Sequence, residues 1–167
     1  MDATLGLTRP FSFGRGWPQL HRLADIEANE PALHLVPGSR TERLVAVHCH
    51  LETGAGGVGR FAQVDLLDAD GRVWLRAPAS GPVPAEEVAS VNWALGLTYW
   101  HEVVGEVAVG ALPDLMLRPG MAVAITVSGG QEGDLLSNIS MLVEEFPNGP
   151  DGYPTGVYAV PPVLAPQ

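Results

Sequence analysis

Two histidines separated by a single residue, His48 and His50, are the first residues of this sequence whose types and spacing suit chemistry. Side chains two positions apart in a β-strand lie on the same face, so two imidazoles in this pattern can bind one metal ion. Glu52 continues that face and is the candidate third ligand. Because no later histidine completes the set on a strand, we favour a chain that holds no metal, with these histidines on the polar face of an edge strand.

The glycine-rich segment at residues 54–59 matches the dinucleotide-binding pattern G-x-G-x-x-G. A dinucleotide site needs a helix that begins at this motif, because the N-terminal amides of the helix bind the pyrophosphate. The residues that follow, 60–66, alternate as a strand does, so we interpret the segment as a loop. Neither the serines nor the carboxylates form a recognisable catalytic set. The sequence therefore predicts a protein that is not an enzyme and has no cofactor.

Aromatic side chains are the candidates for binding a partner. One group lies in an N-terminal stretch with many glycines and prolines and no periodicity, and its rings need an apolar surface to cover them. A second group lies around residues 93–100, where packing against a subunit is favoured over a sugar-binding platform. The predicted partner-binding residues are Phe11, Phe13, Trp17, Trp93, Tyr99 and Trp100.

The elements that must position these residues are short strands. In residues 121–128 the large apolar side chains occupy every second position, and a Pro-Gly turn at Pro119–Gly120 precedes them. Residues 138–146 alternate in the same way, and we expect the two strands to pair as antiparallel neighbours across the polar loop between them. In residues 43–52 the pattern predicts that Val45, Val47, Cys49 and Leu51 face the core and that Leu44 faces away.

The composition favours one all-β domain. The chain has 167 residues with 20 glycines and 15 prolines, and its alternating segments are separated by turns. This pattern is typical of a single-domain antiparallel β-sandwich, which we expect to be jelly-roll-like. Residues 1–30 are predicted to be an arm with a short helix at residues 19–29, residues 31–146 the sandwich, and residues 147–167 an extended proline-rich tail.

Charge and hydropathy exclude two classes of partner. The formal net charge is −10, and the second half of the chain has Arg118 as its only basic residue. Binding to nucleic acid requires cationic side chains that displace phosphate counterions, so we expect no nucleic-acid partner. No segment approaches the roughly 18 apolar residues of a membrane span, so we expect no membrane partner either.

Three segments of the last third of the chain resemble a group of virion proteins of tailed bacteriophages. They are LPDLMLRPG at residues 112–120, GDLLSNI at residues 133–139 and VEE at residues 143–145. The resemblance implies a structural component of a phage particle with a jelly-roll-like fold. It favours a capsid decoration or cement protein that binds and stabilises the outer shell, with a neck, collar or tail component as the alternative.

The resemblance also implies a location in the virion after synthesis in the host cytoplasm. The expected partners are the major capsid protein or other virion subunits, together with further copies of this chain in a symmetric homo-oligomer, for which a trimer is favoured. A further alternative is a cupin-like metal-binding protein that uses His48, His50 and Glu52, because cupins bind metal through a His-x-His pair and a more distant glutamate.

Overall fold

The computed structural model describes residues 16–57, 59–97 and 107–148. These residues form eleven strands and contain no helix, so the prediction of an all-β sandwich is confirmed. No helix long and apolar enough to cross a membrane occurs among them. The strands are β1 Trp17–Arg22, β2 Ile26–Glu27, β3 Ala32–Leu35, β4 Arg40–Glu52, β5 Phe61–Leu67, β6 Val73–Pro78, β7 Val88–Leu95, β8 Val107–Leu112, β9 Met116–Leu117, β10 Ala122–Ser128 and β11 Leu135–Pro147.

The strands form two sheets that enclose one hydrophobic core. The larger sheet has the order β1-β11-β4-β7-β8, with β2 paired to β11 and β9 paired to β4; the smaller has the order β3-β10-β5-β6. Neighbouring strands are antiparallel except β7 and β8, which are parallel, so the larger sheet is mixed. Apolar side chains from both sheets are buried between them, among them Leu51, Val64, Val91, Ile125 and Met141.

The helix predicted at residues 19–29 is wrong, because these residues supply β1 and β2. The spacing of Leu20, Leu23 and Ile26 suits a helix, yet Leu20 is exposed and β1 is hydrogen-bonded along β11 from Trp17 to Arg22. Pairing with a strand more than a hundred residues away overrides a weak local preference. The sheet therefore begins at Trp17; the rest of the predicted arm, residues 1–15, and residues 149–167 of the predicted tail lie outside the described residues.

The two alternating strands around residues 121–146 are both present, but they do not pair with each other. β10 lies in the smaller sheet between β3 and β5, whereas β11 lies in the larger sheet between β1 and β4. The loop between them crosses from one sheet to the other and contains Gly129 and Gly133, which both have positive φ. The two strands that were expected to be antiparallel neighbours therefore lie in different sheets.

The predicted facing of the first part of β4 is also wrong, because of a β-bulge. In the register with β11, Ala46 pairs with Leu142 and Leu44 pairs with Val143, so Val45 is the extra residue. An extra residue shifts the alternation by one, which turns Leu44 into the core and leaves Val45 half-buried. Beyond the bulge the prediction is confirmed, since Val47, Cys49 and Leu51 are buried.

Candidate functional site

The predicted metal ligands of β4 are only partly brought together. His48 and His50 share a face, with their ring centroids 5.0 Å apart in an edge-to-face contact. His48 Nδ1 lies 2.8 Å from Asn92 Oδ1, so one ring nitrogen already has a partner on β7. Glu52 is exposed at the end of the strand and does not join them in a cluster of ligand distance. The structure therefore offers these two imidazoles no third ligand within its described residues.

Trp93, predicted to bind a partner, lies in the core instead of on the surface. Its side chain is 1% exposed in the core, and its indole Nε1 donates a hydrogen bond to the Ala77 carbonyl, 3.1 Å away. The alternation of β7 points Trp93 inward with Ala89 and Val91. Trp17 is exposed on β1 and remains available to a partner. Phe11, Phe13, Tyr99 and Trp100 lie outside the described residues.

A different cluster of potential ligands lies between the sheets at one edge of the sandwich. We name His21, His34 and Glu42 the edge cluster; their ligand atoms all lie within 4.8 Å of one another. His21 comes from β1 of the larger sheet, His34 from β3 of the smaller sheet, and Glu42 from β4. His34 Nε2 is 2.7 Å from Glu42 Oε2, and the two imidazole centroids are 4.6 Å apart.

The surroundings of the edge cluster leave polar atoms without partners. Glu42 is fully buried, and its second oxygen, Oε1, has no hydrogen-bond partner among the described residues. His21 Nε2 is also buried without a hydrogen bond there, 3.4 Å from Oε1 of Glu145. Glu145 also forms an ion pair with Arg40. Sequence reasoning missed this cluster; its only signals are a glutamate at the start of an apolar strand and a histidine between two leucines.

A buried ion pair closes the opposite end of the fold. Arg60 and Asp134 are both completely buried, with Arg60 Nε 2.8 Å from Asp134 Oδ2. Asp134 also accepts hydrogen bonds from the amides of Gly54 and Gln131, and Arg60 donates to the Gly56 carbonyl. The glycine-rich loop is thus an anchor for an arginine; β5 follows it directly, which confirms its interpretation as a loop. This arrangement is structural, because every group is already bound.

The outer surface of the smaller sheet carries an apolar row that crosses all four strands. We name Leu35, Ala122, Leu67 and Val73 the outer row; the register pairs Leu35 with Ala122, Ala122 with Leu67, and Leu67 with Val73. Leu35 is 60% exposed and Val73 is 50% exposed. A β-bulge opposite Leu66 and Leu67 shifts the alternation of β6 at this point.

Strand β3 contributes residues to both the outer row and the edge cluster. Its two leucines, Leu33 and Leu35, are exposed on the outer surface, while His34 between them faces the interior. The hydrogen-bonded register with β10 fixes this orientation, since His34 pairs with Val123 of the core. An edge strand that exposes its leucines and buries its histidine costs free energy in the isolated chain, which indicates that these side chains have a purpose other than folding.

Cys49, unlike the histidines of the edge cluster, has a side chain that is not expected to react or to bind a ligand. The thiol is completely buried on β4, and burial raises its pKa to about 12. We therefore expect no reaction of the folded chain with a disulfide reagent such as DTNB at pH 8, and release of one equivalent of thiol after unfolding in urea. Absorbance of the released thiolate measures both. Rapid labelling of the native protein would show that β4 is open to solvent.

Comparisons with known proteins do not assign this chain to a family. No protein-family model matches the chain, and a search of curated proteins finds no match. Among solved structures, a likeness is found to a chain described as "Structure of infectious bursal disease virus Gt strain". The identity is 13% and the TM-score 0.27, with 77% of this chain and 32% of that chain covered. A likeness of this size carries no argument about the function of this chain.

Proposed function

We propose that this chain is a non-enzymatic structural protein of a tailed-bacteriophage particle, where it decorates and stabilises the outer shell. The observation that carries the proposal is the outer row, an apolar stripe on a sheet that has no second layer covering it within the described residues. Its docking partner is the major capsid protein or a neighbouring virion subunit. The resemblance of residues 112–145 to phage virion proteins supports the choice of particle.

The chemistry of the outer row suits a protein partner. Leu35 and Val73 are exposed at its two ends, and the half-buried Leu67 and the buried Ala122 lie between them. Leu33 is exposed beside it and Trp74 at the bulge of β6. Exposed apolar side chains grouped on one face of a sheet mark interaction surfaces, and an apolar patch with a polar rim is how such surfaces bind.

The polar rim is present on the same surface. Asp65 on β5 accepts two hydrogen bonds from Arg76 on β6, at 2.7 Å and 2.9 Å. These groups flank the outer row and neutralise each other, so they add polarity without a large local field. The net charge of −10 also fits the proposal, because an acidic chain favours protein subunits over the genome as the partner.

The remaining parts of the proposal follow from the same reasoning. Phe11, Phe13 and Trp17 are proposed as additional anchors, and a symmetric homo-oligomer, a trimer in the first instance, multiplies weak contacts with a repeating lattice. A neck, collar or tail position remains the alternative placement within the particle. A cupin-like use of His48, His50 and Glu52 gains no support from the described residues, because Glu52 does not join the two histidines in a cluster of ligand distance.

Placing a charge in the outer row is expected to abolish binding to the particle. Val73→Glu and Leu35→Glu are expected to lower the fraction of protein that sediments with phage heads lacking it by at least about tenfold, because a carboxylate must then be desolvated in an apolar contact. Both side chains are exposed, so folding should be unaffected, which far-UV circular dichroism and urea unfolding check.

Val88→Glu is the matched control, since Val88 is 51% exposed on β7 of the larger sheet. The proposal predicts that this variant sediments like the wild type. Equal binding by all four proteins would contradict docking through the outer row. Light scattering after gel filtration tests a further outcome: conversion of an oligomer to a monomer by Val73→Glu would place a second copy of the chain on this surface instead.

A further inference from the structure

We propose that the edge cluster is a binding site for one divalent transition-metal ion, Zn²⁺ in the first instance, which fastens the N-terminal edge strand to the smaller sheet. The inference is independent of the proposed role in a phage particle. Its ligands are His21, His34 and Glu42, none of which was a metal candidate in the sequence. Two imidazoles and one carboxylate are a donor set that Zn²⁺ uses in proteins.

The distances suit such an ion. Zn²⁺ binds histidine nitrogen and carboxylate oxygen at about 2.0–2.2 Å, which places the ligand atoms of a tetrahedral site roughly 3.3 Å apart. The ligand atoms of the edge cluster all lie within 4.8 Å of one another, and His34 Nε2 is 2.7 Å from Glu42 Oε2. Small side-chain rotations are enough to open the shorter distance and close the longer ones.

Unpaired atoms provide a second, independent observation. The carboxylate of Glu42 is completely buried and spends one oxygen on His34, while Oε1 has no partner among the described residues. His21 Nε2, buried as an atom, likewise lacks a hydrogen bond there. Buried polar atoms of this kind are costly unless something binds them. A cation among these three side chains satisfies both atoms and compensates the buried charge of Glu42.

The position of the edge cluster allows an ion to enter from solvent and leaves a place for a fourth ligand. The side chain of His21 is partly exposed at the edge of the sandwich, so an ion can enter from solvent between β1 and β3. Glu145 lies 3.4 Å from His21 Nε2 and is held by Arg40. Because Glu145 is already paired with Arg40, we assign the fourth position of the ion to water.

The location gives the ion a mechanical role. β1 is the edge of the larger sheet and β3 the edge of the smaller sheet, and the described residues show no hydrogen-bonded pairing between these two strands. An ion held by one ligand from each, together with Glu42 of β4, joins the layers at their open edge. Metal binding to a folded site adds its binding free energy to the stability of the fold.

The test uses the full-length, tag-free protein after treatment with EDTA and gel filtration into phosphate-free buffer at pH 7.5. Isothermal titration with ZnCl₂ is expected to give one ion per chain with a Kd of about 1 µM or lower. At a free Zn²⁺ concentration of about one hundred times Kd, the unfolding temperature is expected to rise by roughly 5–10 °C. Elemental analysis of the dialysed complex checks the stoichiometry.

Three single variants and one control separate this site from others. His21→Gln, His34→Gln and Glu42→Gln are each expected to weaken Zn²⁺ binding by roughly 100-fold or more, since each loses one ligand. Glu42→Gln is the most informative, because an amide keeps the volume and can still hydrogen-bond His34 but no longer provides a charged ligand. The double variant His48→Gln/His50→Gln is the matched control and is expected to bind Zn²⁺ like the wild type.

Two results would overturn the proposal. Absence of stoichiometric binding to the wild type at 100 µM ZnCl₂ would reduce the edge cluster to a hydrogen-bonded His34–Glu42 pair. Loss of binding in the His48→Gln/His50→Gln variant, with binding retained in Glu42→Gln, would move the site to the outer face of β4. Circular dichroism of each metal-free variant shows whether it is folded, and Glu42→Gln keeps the test decisive if a histidine variant is not.

Discussion

Replacing Arg60 by methionine is expected to destabilise the folded chain by about 3–5 kcal/mol, because the change leaves the carboxylate of Asp134 buried without its counter-ion. Both side chains are completely buried, and Arg60 donates two hydrogen bonds to Asp134, at 2.8 Å and 3.1 Å. The loss is a large part of the stability of an ordinary domain. Urea unfolding followed by far-UV circular dichroism measures it as a lower midpoint with an unchanged slope.

The cost is high because the pair joins two loops at this end of the fold. Asp134 ends the loop that crosses from β10 to β11 and accepts amide hydrogen bonds from Gly54 and Gln131. Arg60 lies at the end of the glycine-rich loop and donates to the carbonyl of Gly56. Removal of the guanidinium therefore breaks contacts within one loop and between the two, and it leaves the completely buried carboxylate of Asp134 without its counter-ion.

Arg76→Met is the matched control, since Arg76 forms the same kind of two-bond pair with Asp65 but is half exposed. Asp65 is buried as Asp134 is, but water can take the place of the half-exposed guanidinium and Thr126 still donates a hydrogen bond to Asp65. The control is therefore expected to lose less stability. Equal losses in the two variants would contradict the special role of burial at Arg60.

The pH dependence of stability shows how much of the contribution of Asp134 comes from the charge of its carboxylate and how much from its packing. Burial alone raises the pKa of this carboxyl, but hydrogen bonds from Arg60 and from the amides of Gly54 and Gln131, with the charge of Arg60, lower it overall. The unfolded chain, where an aspartate has a pKa of about 3.9, then binds the proton more readily than the folded chain. The stabilisation is fully present above that pKa and is lost as the pH falls through the lower pKa of the folded state.

Asp134→Asn removes this dependence, because an amide does not titrate in this range. The difference in unfolding free energy between wild type and variant is expected to be constant from pH 8 to about pH 5 and to shrink below about pH 4. Urea unfolding at a series of pH values measures it. A difference that grows on acidification would show that Asp134 is not ionised in the folded chain.

The all-β architecture was predictable because several segments repeat their apolar residues with a period of two. β10 is the clearest example: Val123 and Ile125 are buried as predicted, and the turn at Pro119–Gly120 sets its start. Such a pattern reports which face of a strand is apolar, but it contains no information about which strand lies beside it. For this reason β10 and β11 were predicted individually and yet placed wrongly as neighbours.

Bulges and pairing across the chain account for the remaining errors. Val45 leaves the core because its partner strand β11 has no residue to match it, and Trp17–Arg22 form a strand because β11 offers a free edge. The edge cluster depends on the same long-range pairing. His21, His34 and Glu42 meet only when three registers are fixed, and no spacing in the sequence specifies those registers.

Trp93→Ala is expected to cost about 3–5 kcal/mol, and this effect tests the correction of its role from partner binding to core packing. The indole is among the largest completely buried side chains of the described residues and lies against Gly110 of β8, where an added methyl group would overlap it. Removing the ring leaves a cavity that glycine cannot fill. Denaturation in urea, followed by circular dichroism because the variant lacks one fluorescent tryptophan, measures the loss.

The hydrogen bond of Trp93 adds a contribution that a second variant isolates. The indole of β7 in the larger sheet donates to the carbonyl of Ala77 on β6 in the smaller sheet, so this bond ties the two layers together. Trp93→Phe keeps most of the ring but leaves that carbonyl without its donor, for an expected cost of about 1–3 kcal/mol.

Trp74→Ala is the surface control, since Trp74 is exposed on β6, and it is expected to change stability by no more than about 0.5 kcal/mol. If Trp93→Ala had the same urea midpoint as the wild type while particle binding fell, the tryptophan would be a docking residue. If the urea midpoint is lowest for Trp93→Ala, intermediate for Trp93→Phe and highest for the wild type, the tryptophan packs between the two sheets.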